Sequence, residues 1–395
     1  MKKAIFIAHR FPFPPNKGDK LRAYHILKHL CKRYEVSLIC HLDEERDLEE
    51  VKRLDLPLKQ FFFHFKPKKW RKLASLKALH RGSLSVAYFY ADELQARYNQ
   101  LVKEGPISLI FCSCAPAAEY VFRGPETRAA LFLDFMDVDS EKWHLYAEKS
   151  GVPWRFIYAL EARRMRTYEQ KITKIFDRLF LVSAAEAELF KEKVAQSEKI
   201  TVLENGVDLA FFNPAYKPGL ELKKPAVAFT GAMDYWPNAE GVIWFAREIW
   251  PLVKKRHPQA TFYIVGKDPL PEVKALSKEP GIEITGFVRD TRDYLAQAQV
   301  CVAPLRIARG IQNKVLEAMA MARPVVATPQ AAEGLSFIEG KELLLAGDTQ
   351  SFAQKVLKLI EEKEMARKIG KAARKRVEND YSWGKKLEVL DAFLP

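Results

Sequence analysis

Short apolar, β-branched runs alternate with longer amphipathic stretches along most of this chain. "KAIFIA" (3–8), "YEVSLIC" (34–40), "ISLIFC" (107–112), "AALFLD" (129–134) and "RLFLVS" (178–183) have the continuous apolar character of strands buried on both faces. Between them, stretches such as "GDKLRAYHILKHLCKRY" and "WRFIYALEARRMRTYEQKITKIF" repeat apolar positions at helical spacing. A second series follows: "AVAFTG" (226–231), "ATFYIVG" (260–266), "IEITG" (282–286), "VCVAPL" (300–305), "RPVVAT" (323–328) and "ELLLAG" (342–347). Strands separated by helices of this length predict βαβ units with helices on both faces of parallel sheets. Residues 205–225, "NGVDLAFFNPAYKPGLELKKP", interrupt the pattern with three prolines and two glycines, and mark a domain boundary. The expected fold class is therefore α/β: two Rossmann-like, doubly wound domains facing a central cleft, with ligands beyond the carboxyl ends of the strands.

Length agrees with two cores, since 395 residues exceed one ordinary domain and 48% of them are hydrophobic. Five scattered cysteines form neither a disulfide framework nor a zinc pattern. The N-terminal apolar run is too short for a secretory signal, and no stretch has the length of a membrane span. These readings predict a cytoplasmic protein. The net charge of +14 implies an anionic partner, and much of the excess lies in residues 66–81, "KPKKWRKLASLKALHR". Lys68, Lys69, Trp70, Arg71 and Lys72, next to "FFFHF" (61–65), have the composition of an interfacial patch for anionic lipid. On that reading the protein sits peripherally on the inner face of the plasma membrane. The alternative is a buried strand followed by a solvated basic helix.

No dinucleotide, Walker or H-E-x-x-H motif is present, and what remains is a set of strand-to-helix turns. In "HRFPFPPNKGDKLR" (9–22), prolines stiffen the loop, Gly18 permits close backbone approach, and Lys17, Lys20 and Arg22 add positive charge. In "FTGAMDYWPNAEG", Gly231 ends the strand and Asn238 is a candidate N-cap. In "PLRIARGIQNKVLEAMA", Arg306, Arg309 and Lys314 surround Gly310, and Lys314 and Glu317 share one helix face. A cation at a helix start opposes the macrodipole, so its purpose would be a ligand anion. Glu317 is placed to accept from vicinal hydroxyls, and the alternative is a surface ion pair. Asp134, Asp137, Asp139 and Glu141 invite a metal reading, but the glycine and terminal glutamate of a calcium loop are missing. Asp139 or Ser140 then serves as a helix cap.

"VLENGVDLAFFNP" (202–214), "KVLEAMAMARPVVAT" and "YSW" (381–383) resemble the signatures of family 4 glycosyltransferases, retaining enzymes of the GT-B fold. "HRFPFPPNKGDKLRAYHILKHL", "DFMDVDSEKW", "FTGAMDYWPN" and "APLRIARGIQNKVLEAMAMARPVVATPQA" are similar to the exosortase (PEP-CTERM)-associated sugar transferases. The resemblance spans the chain. It implies an N-terminal acceptor-binding domain (1–206), a C-terminal nucleotide-sugar-binding domain (207–381) and a last helix (382–395) packing back on the first. It also implies a metal-independent hexosyltransferase without a cofactor, the nucleotide sugar being a substrate, and an acceptor that is a glycan or lipid-linked. The expected role is exopolysaccharide or cell-surface glycan biosynthesis, with no nucleic-acid partner. Glu317 falls on the second glutamate of the E-x7-E motif, the ribose ligand. Gly231 falls on the glycine of the diphosphate loop and Gly18 on that of the acceptor-side loop, with Arg10, Lys17 and Asp19 around it. Phe287 and Val288 are expected at the base, and Gly310 and Asn313 at the donor.

Two departures stand out. Arg309 replaces the first glutamate of E-x7-E, and Ala232-Met233-Asp234 replaces the basic residues after Gly231. Relocated charge from Arg309, Lys314 and Lys267 would then serve the leaving diphosphate. His9 and Asp137 are candidate bases by location. The alternatives are a non-catalytic nucleotide- or polyanion-binding relative and a nucleotide-sugar epimerase.

Overall fold

In the computed structural model the chain folds as two compact units, Met1–Glu204 with Leu387–Pro395, and Asn205–Lys386. The structure describes residues 1–395 except 16–17, 66, 68, 72–74, 76–81 and 309–310. The first unit is built on strands β1 (Lys2–Ala8), β2 (Tyr34–Leu42), β3 (Gln60–Phe65), β4 (Leu109–Cys112), β5 (Ala130–Met136), β6 (Arg178–Leu181) and β7 (Ile200–Val202). They form one parallel sheet in the order β3-β2-β1-β4-β5-β6-β7. Ile5, Ile7, Ile39, Ile110, Leu133 and Leu179 supply its core. All five apolar runs of the first series are strands. The phenylalanine run is strand β3, whereas β7 has three residues, too few for an apolar pattern to show.

The helix Gly18–Leu30 is tied to the sheet by one buried side chain. Arg22 donates from Nε and Nη2 to the two oxygens of Asp134 at 2.6 and 2.8 Å, and from Nη1 to the Leu203 carbonyl at 2.6 Å. Arg22 and Asp134 are each 1% exposed. A bidentate guanidinium–carboxylate pair satisfies both forks where water cannot. The final residues join this unit: His29 and Arg33 both contact the Asp391 carboxylate at 2.6 Å, and the Tyr34 hydroxyl donates to the Pro395 carbonyl.

The second unit holds β8 (Ala226–Thr230), β9 (Thr261–Val265), β10 (Ile282–Gly286), β11 (Val300–Ala303), β12 (Val325–Ala327) and β13 (Leu344–Leu345). They are parallel, in the order β10-β9-β8-β11-β12-β13. Phe229, Phe245, Trp250, Phe262 and Phe352 fill the core beneath. Two stretches quoted for the family resemblance meet here. Val207 N donates to the Tyr381 carbonyl, and a Cβ at Gly206 would lie 2.6 Å from the Trp383 backbone. Glycine at 206 is thus set by the Tyr381-Ser382-Trp383 chain packed against it. Among the described residues no helix is long and apolar enough to cross a membrane.

Arg22→Met is expected to destabilise the first unit by about 3–5 kcal/mol, because the Asp134 carboxylate is left buried and unpaired. Urea unfolding followed by circular dichroism measures it. Arg22→Met combined with Asp134→Leu should recover most of the loss.

Candidate functional site

In each sheet the strand order reverses once, at β1 and at β8, and loops leaving neighbouring strands in opposite directions open a crevice there. In the second unit the loop after β8 is locked to the loop after β9. Gly231 N donates to the Val265 carbonyl at 3.0 Å and Met233 N to the Lys267 carbonyl at 2.9 Å. A Cβ at Gly266 would sit 1.7 Å from the Gly231 oxygen, so no side chain fits there. Gly231 is needed for a different reason from the one its sequence context implies. Its missing side chain makes room for Asn238, whose Nδ2 lies 2.7 Å from where a Cβ would be. Asn238 is not the N-cap; the helix already begins at Trp236, and the amide side chain reaches back to the Ala232 carbonyl at 2.9 Å. Tyr235 and Trp236 project into solvent at this rim instead of packing beneath the loop.

The helix Asn313–Ala320 follows β11, the strand on the other side of the reversal. Val315, Leu316, Ala318 and Met319 bury its inner face, which leaves Lys314 and Glu317 together on the half-buried one. They do not form the surface ion pair that their spacing allows. The Lys314 ammonium donates to Gln312 Oε1 at 3.2 Å and lies 5.6 Å from the Phe229 ring centre. The Glu317 carboxylate has no hydrogen-bond donor among the described residues. Burial pushes the Lys314 ammonium down to about 8, against the pull of Glu317. It pushes the Glu317 carboxyl up to about 7, against the pull of Lys314. The Asn313 Oδ1 beside them is buried without a donor among the described residues. A cation held only by Gln312, a carboxylate without a described donor and a buried amide oxygen therefore share the edge of this crevice.

Other expected donor residues are distributed around the same strand ends. Lys267 follows β9 and pairs with its neighbour Asp268 at 3.1 Å. Phe287 follows Gly286 at the end of β10 and is 73% exposed, while Val288 packs on the Leu222, Ala226, Tyr263 and Val265 cluster. Arg306 is not available to an anion in the way the sequence reading supposed; it pairs with Glu240 and lies over Trp244. Arg309 and Gly310 lie outside the described residues, as do Lys17, Lys68 and Lys72.

In the first unit, His9 follows β1 and Cys114 follows β4, so the pair flanks the first reversal. His9 Nε2 lies 3.3 Å from Asp19 Oδ2, and Arg10 donates to the same oxygen at 2.9 Å. Arg10 Nε also lies 3.1 Å from Asp43, which binds Arg71 in turn. Burial opposes a charge on His9, but the Cys114 sulfur and the Asp19 carboxylate outweigh it and hold the imidazole up at about 9. The protonated form of His9 is favoured, and in that form it holds a proton in place of accepting one. Asp19, although desolvated, is held well below the usual carboxylate range by His9 and Arg10. Gly18 opens the first helix, and a Cβ there would meet no described residue within 4 Å. Asp137 sits in the exposed turn after β5. Sequence reasoning missed Cys114 and Asp43, and their one signal is position, within two residues of a strand's carboxyl end.

Three readings are corrected here. Arg71 does not face outward with Lys69 and Trp70; it is 3% exposed, packed over Tyr88 and bound to Asp43. Lys20 and Arg22 are not loop charges, because Asp47 and Asp134 neutralise them. Neither Asp139 nor Ser140 caps its helix; the Val138 and Ser140 amides are received by Glu186 and Glu169. With Asp134 committed to Arg22, the acidic cluster lacks a metal-binding arrangement, and no group of three potential ligands converges among the described residues.

The opposed shifts of Lys314 and Glu317 make a signed prediction. The raised Glu317 contributes stability below its unfolded value and loses it as pH rises through about 7. The lowered Lys314 loses its contribution as pH falls through about 8. Both charges are therefore buried at greatest cost between these values. Glu317→Gln should raise the melting temperature of the unliganded protein by roughly 2–4 °C near pH 8 and by less at pH 5, in calorimetry at each pH.

Residues 224–362 match the family model for Glycosyl transferases group 1. The chain is 22% identical over 371 residues, 90% of each protein, to an uncharacterized 44.6 kDa protein in the cps region of Klebsiella pneumoniae. Its structure resembles the sucrose-phosphate synthase of Thermosynechococcus elongatus (TM-score 0.67, 16% identity, covering 99% of this chain and 98% of that one). It equally resembles HepE of Anabaena in complex with UDP-glucose (TM-score 0.67, 16% identity, 98% of both chains). The chain thus has the two-domain Rossmann-like architecture of GT-B glycosyltransferases, and the stretch of its second unit that carries Lys314 and Glu317 lies within the match to the group 1 model.

Proposed function

We propose that this protein is a retaining, metal-independent glycosyltransferase of family 4, close to the PEP-CTERM-associated sugar transferases. It moves a hexosyl group from a nucleotide sugar to a glycan or lipid-linked acceptor in exopolysaccharide or cell-surface glycan synthesis. One observation carries the reading: Lys314 and Glu317 share one helix face at the reversal of the second sheet, desolvated and not paired with each other. A nucleoside diphosphate sugar complements both, its phosphate meeting the ammonium and its ribose hydroxyls donating to the carboxylate. The matching family domain, the UDP-glucose bound by the Anabaena relative in structure and the cps location of the Klebsiella protein support it.

On this reading Lys314, with Arg309 and Lys267, stabilises the charge that builds on the departing diphosphate. Glu317 holds the ribose, and the backbone at Phe287 and Val288 meets the base. In the acceptor unit Asp137 is the candidate base, while His9 serves as a fixed cation. No cofactor is assigned.

A thermal-shift screen against UDP-, GDP- and ADP-sugars, followed by transfer or hydrolysis of the labelled sugar, tests the reading. Stabilisation with turnover supports it. Binding without turnover favours a non-catalytic role, and a changed sugar without transfer favours an epimerase. Lys314→Ala and Arg309→Ala should each lower kcat by about 10²–10³-fold. Near-normal rates would refute the relocated-charge mechanism. UDP affinity should also fall as pH rises through about 8, where Lys314 loses its proton, and calorimetric titration of Lys314→Met should lack that dependence.

A further inference from the structure

Helices Asp139–Lys149 and Trp154–Ile175 form a hairpin in the first unit whose tip is apolar and open to solvent. Val152, Trp154 and Phe156 are 75%, 56% and 69% exposed, with Tyr146 and Leu160 exposed beside them. Phe156, Leu160 and Arg163 fall four and three positions apart, on one helix face. Trp154 does not hang free. Trp154 stacks on Tyr158 at 6.1 Å, Tyr158 packs against Trp143 at 5.5 Å, and Trp143 Nε1 donates to Ser85 at 3.1 Å. Glu161, buried at the base, receives Ser83 Oγ and the Leu84 and Ser85 amides, and Arg166 pairs with Glu141 across the two helices. The hairpin is thus anchored at its base and presents Val152, Trp154 and Phe156 to solvent.

Around it the exposed charge is mainly positive. Lys149, Arg155 and Arg163 have no acidic partner among the described residues, and Glu148 is engaged by His144 at 3.5 Å. Rings and aliphatic side chains framed by unpaired cations complement a surface that is apolar within and anionic at its face. A second copy of this chain would set those cations against one another. We propose that the hairpin tip docks on an anionic lipid bilayer, with Trp154, Phe156 and Val152 entering the headgroup boundary and Lys149, Arg155 and Arg163 meeting lipid phosphates. This surface is distinct from the basic stretch near Trp70, beside which Phe61 stacks on Phe11 and in which Arg71 turns inward. The inference does not depend on the catalytic reading.

Co-sedimentation with vesicles of phosphatidylglycerol and phosphatidylcholine, against phosphatidylcholine alone, tests it. The protein should bind the anionic vesicles, and added salt should weaken that binding. Trp154→Ser with Phe156→Ser, and separately Arg155→Glu with Arg163→Glu, should each reduce it at least ~10-fold with unchanged melting temperature. The proposal is overturned if anionic vesicles do not retain the protein, or if both double variants bind as the parent does. It is equally overturned if light scattering shows a dimer that Trp154→Ser with Phe156→Ser dissolves while vesicle binding persists.

Discussion

Three stretches far apart in the chain meet at the Arg22 guanidinium: the first helix, the end of β5 through Asp134, and Leu203 just past β7. A full positive charge with almost no solvent contact persists only when every donor direction is met, and here a carboxylate and a carbonyl meet them. This pairing sets where the first helix starts relative to the strand ends. Asp19, in the first turn of that helix, is met by His9 and Arg10 from just beyond β1. A chain of charges follows, from Asp19 through Arg10 and Asp43 to Arg71. The crevice of the first unit is consequently lined by mutually neutralised groups, and Cys114 and Asp19 favour the protonated form of His9 beside them.

The second unit follows an opposite principle at its reversal. Backbone contacts between the loops at Gly231 and Gly266 are too close for any side chain, which makes that wall stiff. Across from it, the helix after β11 holds Lys314 and Glu317 in a desolvated position without joining them. Folding alone does not compensate such charges; a ligand bringing both a phosphate and hydroxyl groups would, which is the basis of the proposed function. Incomplete satisfaction is what distinguishes this site from the ion-paired network of the first unit.

The apolar runs were legible because a strand buried on both faces must be continuously hydrophobic, and a covering helix must repeat near 3.6 residues. Lys314 and Glu317 were legible for a similar local reason: their spacing places them on one face whatever surrounds the helix. Arg306, Arg71, Lys20 and Arg22 were not. Each read as a free cation, and each is neutralised by an acid from another segment, a contact no local pattern encodes. Asn238 shows the same limit in a neutral residue, since its position resembles a cap and its packing serves the loop before it. The exposed rings of the 152–160 stretch were hidden too, because a helix rich in apolar residues looks the same whether it faces a core or solvent.

By itself, then, the sequence determined the number and kind of layers, the break near residue 205 and the helix that carries Lys314 and Glu317, because these follow from periodicity and chain-local geometry. Tertiary structure alone decided which charges remain unspent, since neutralisation depends on partners that sheet order brings together from distant stretches. It also decided which apolar side chains stay outside the cores, since burial depends on what packs against a face and not on the face itself.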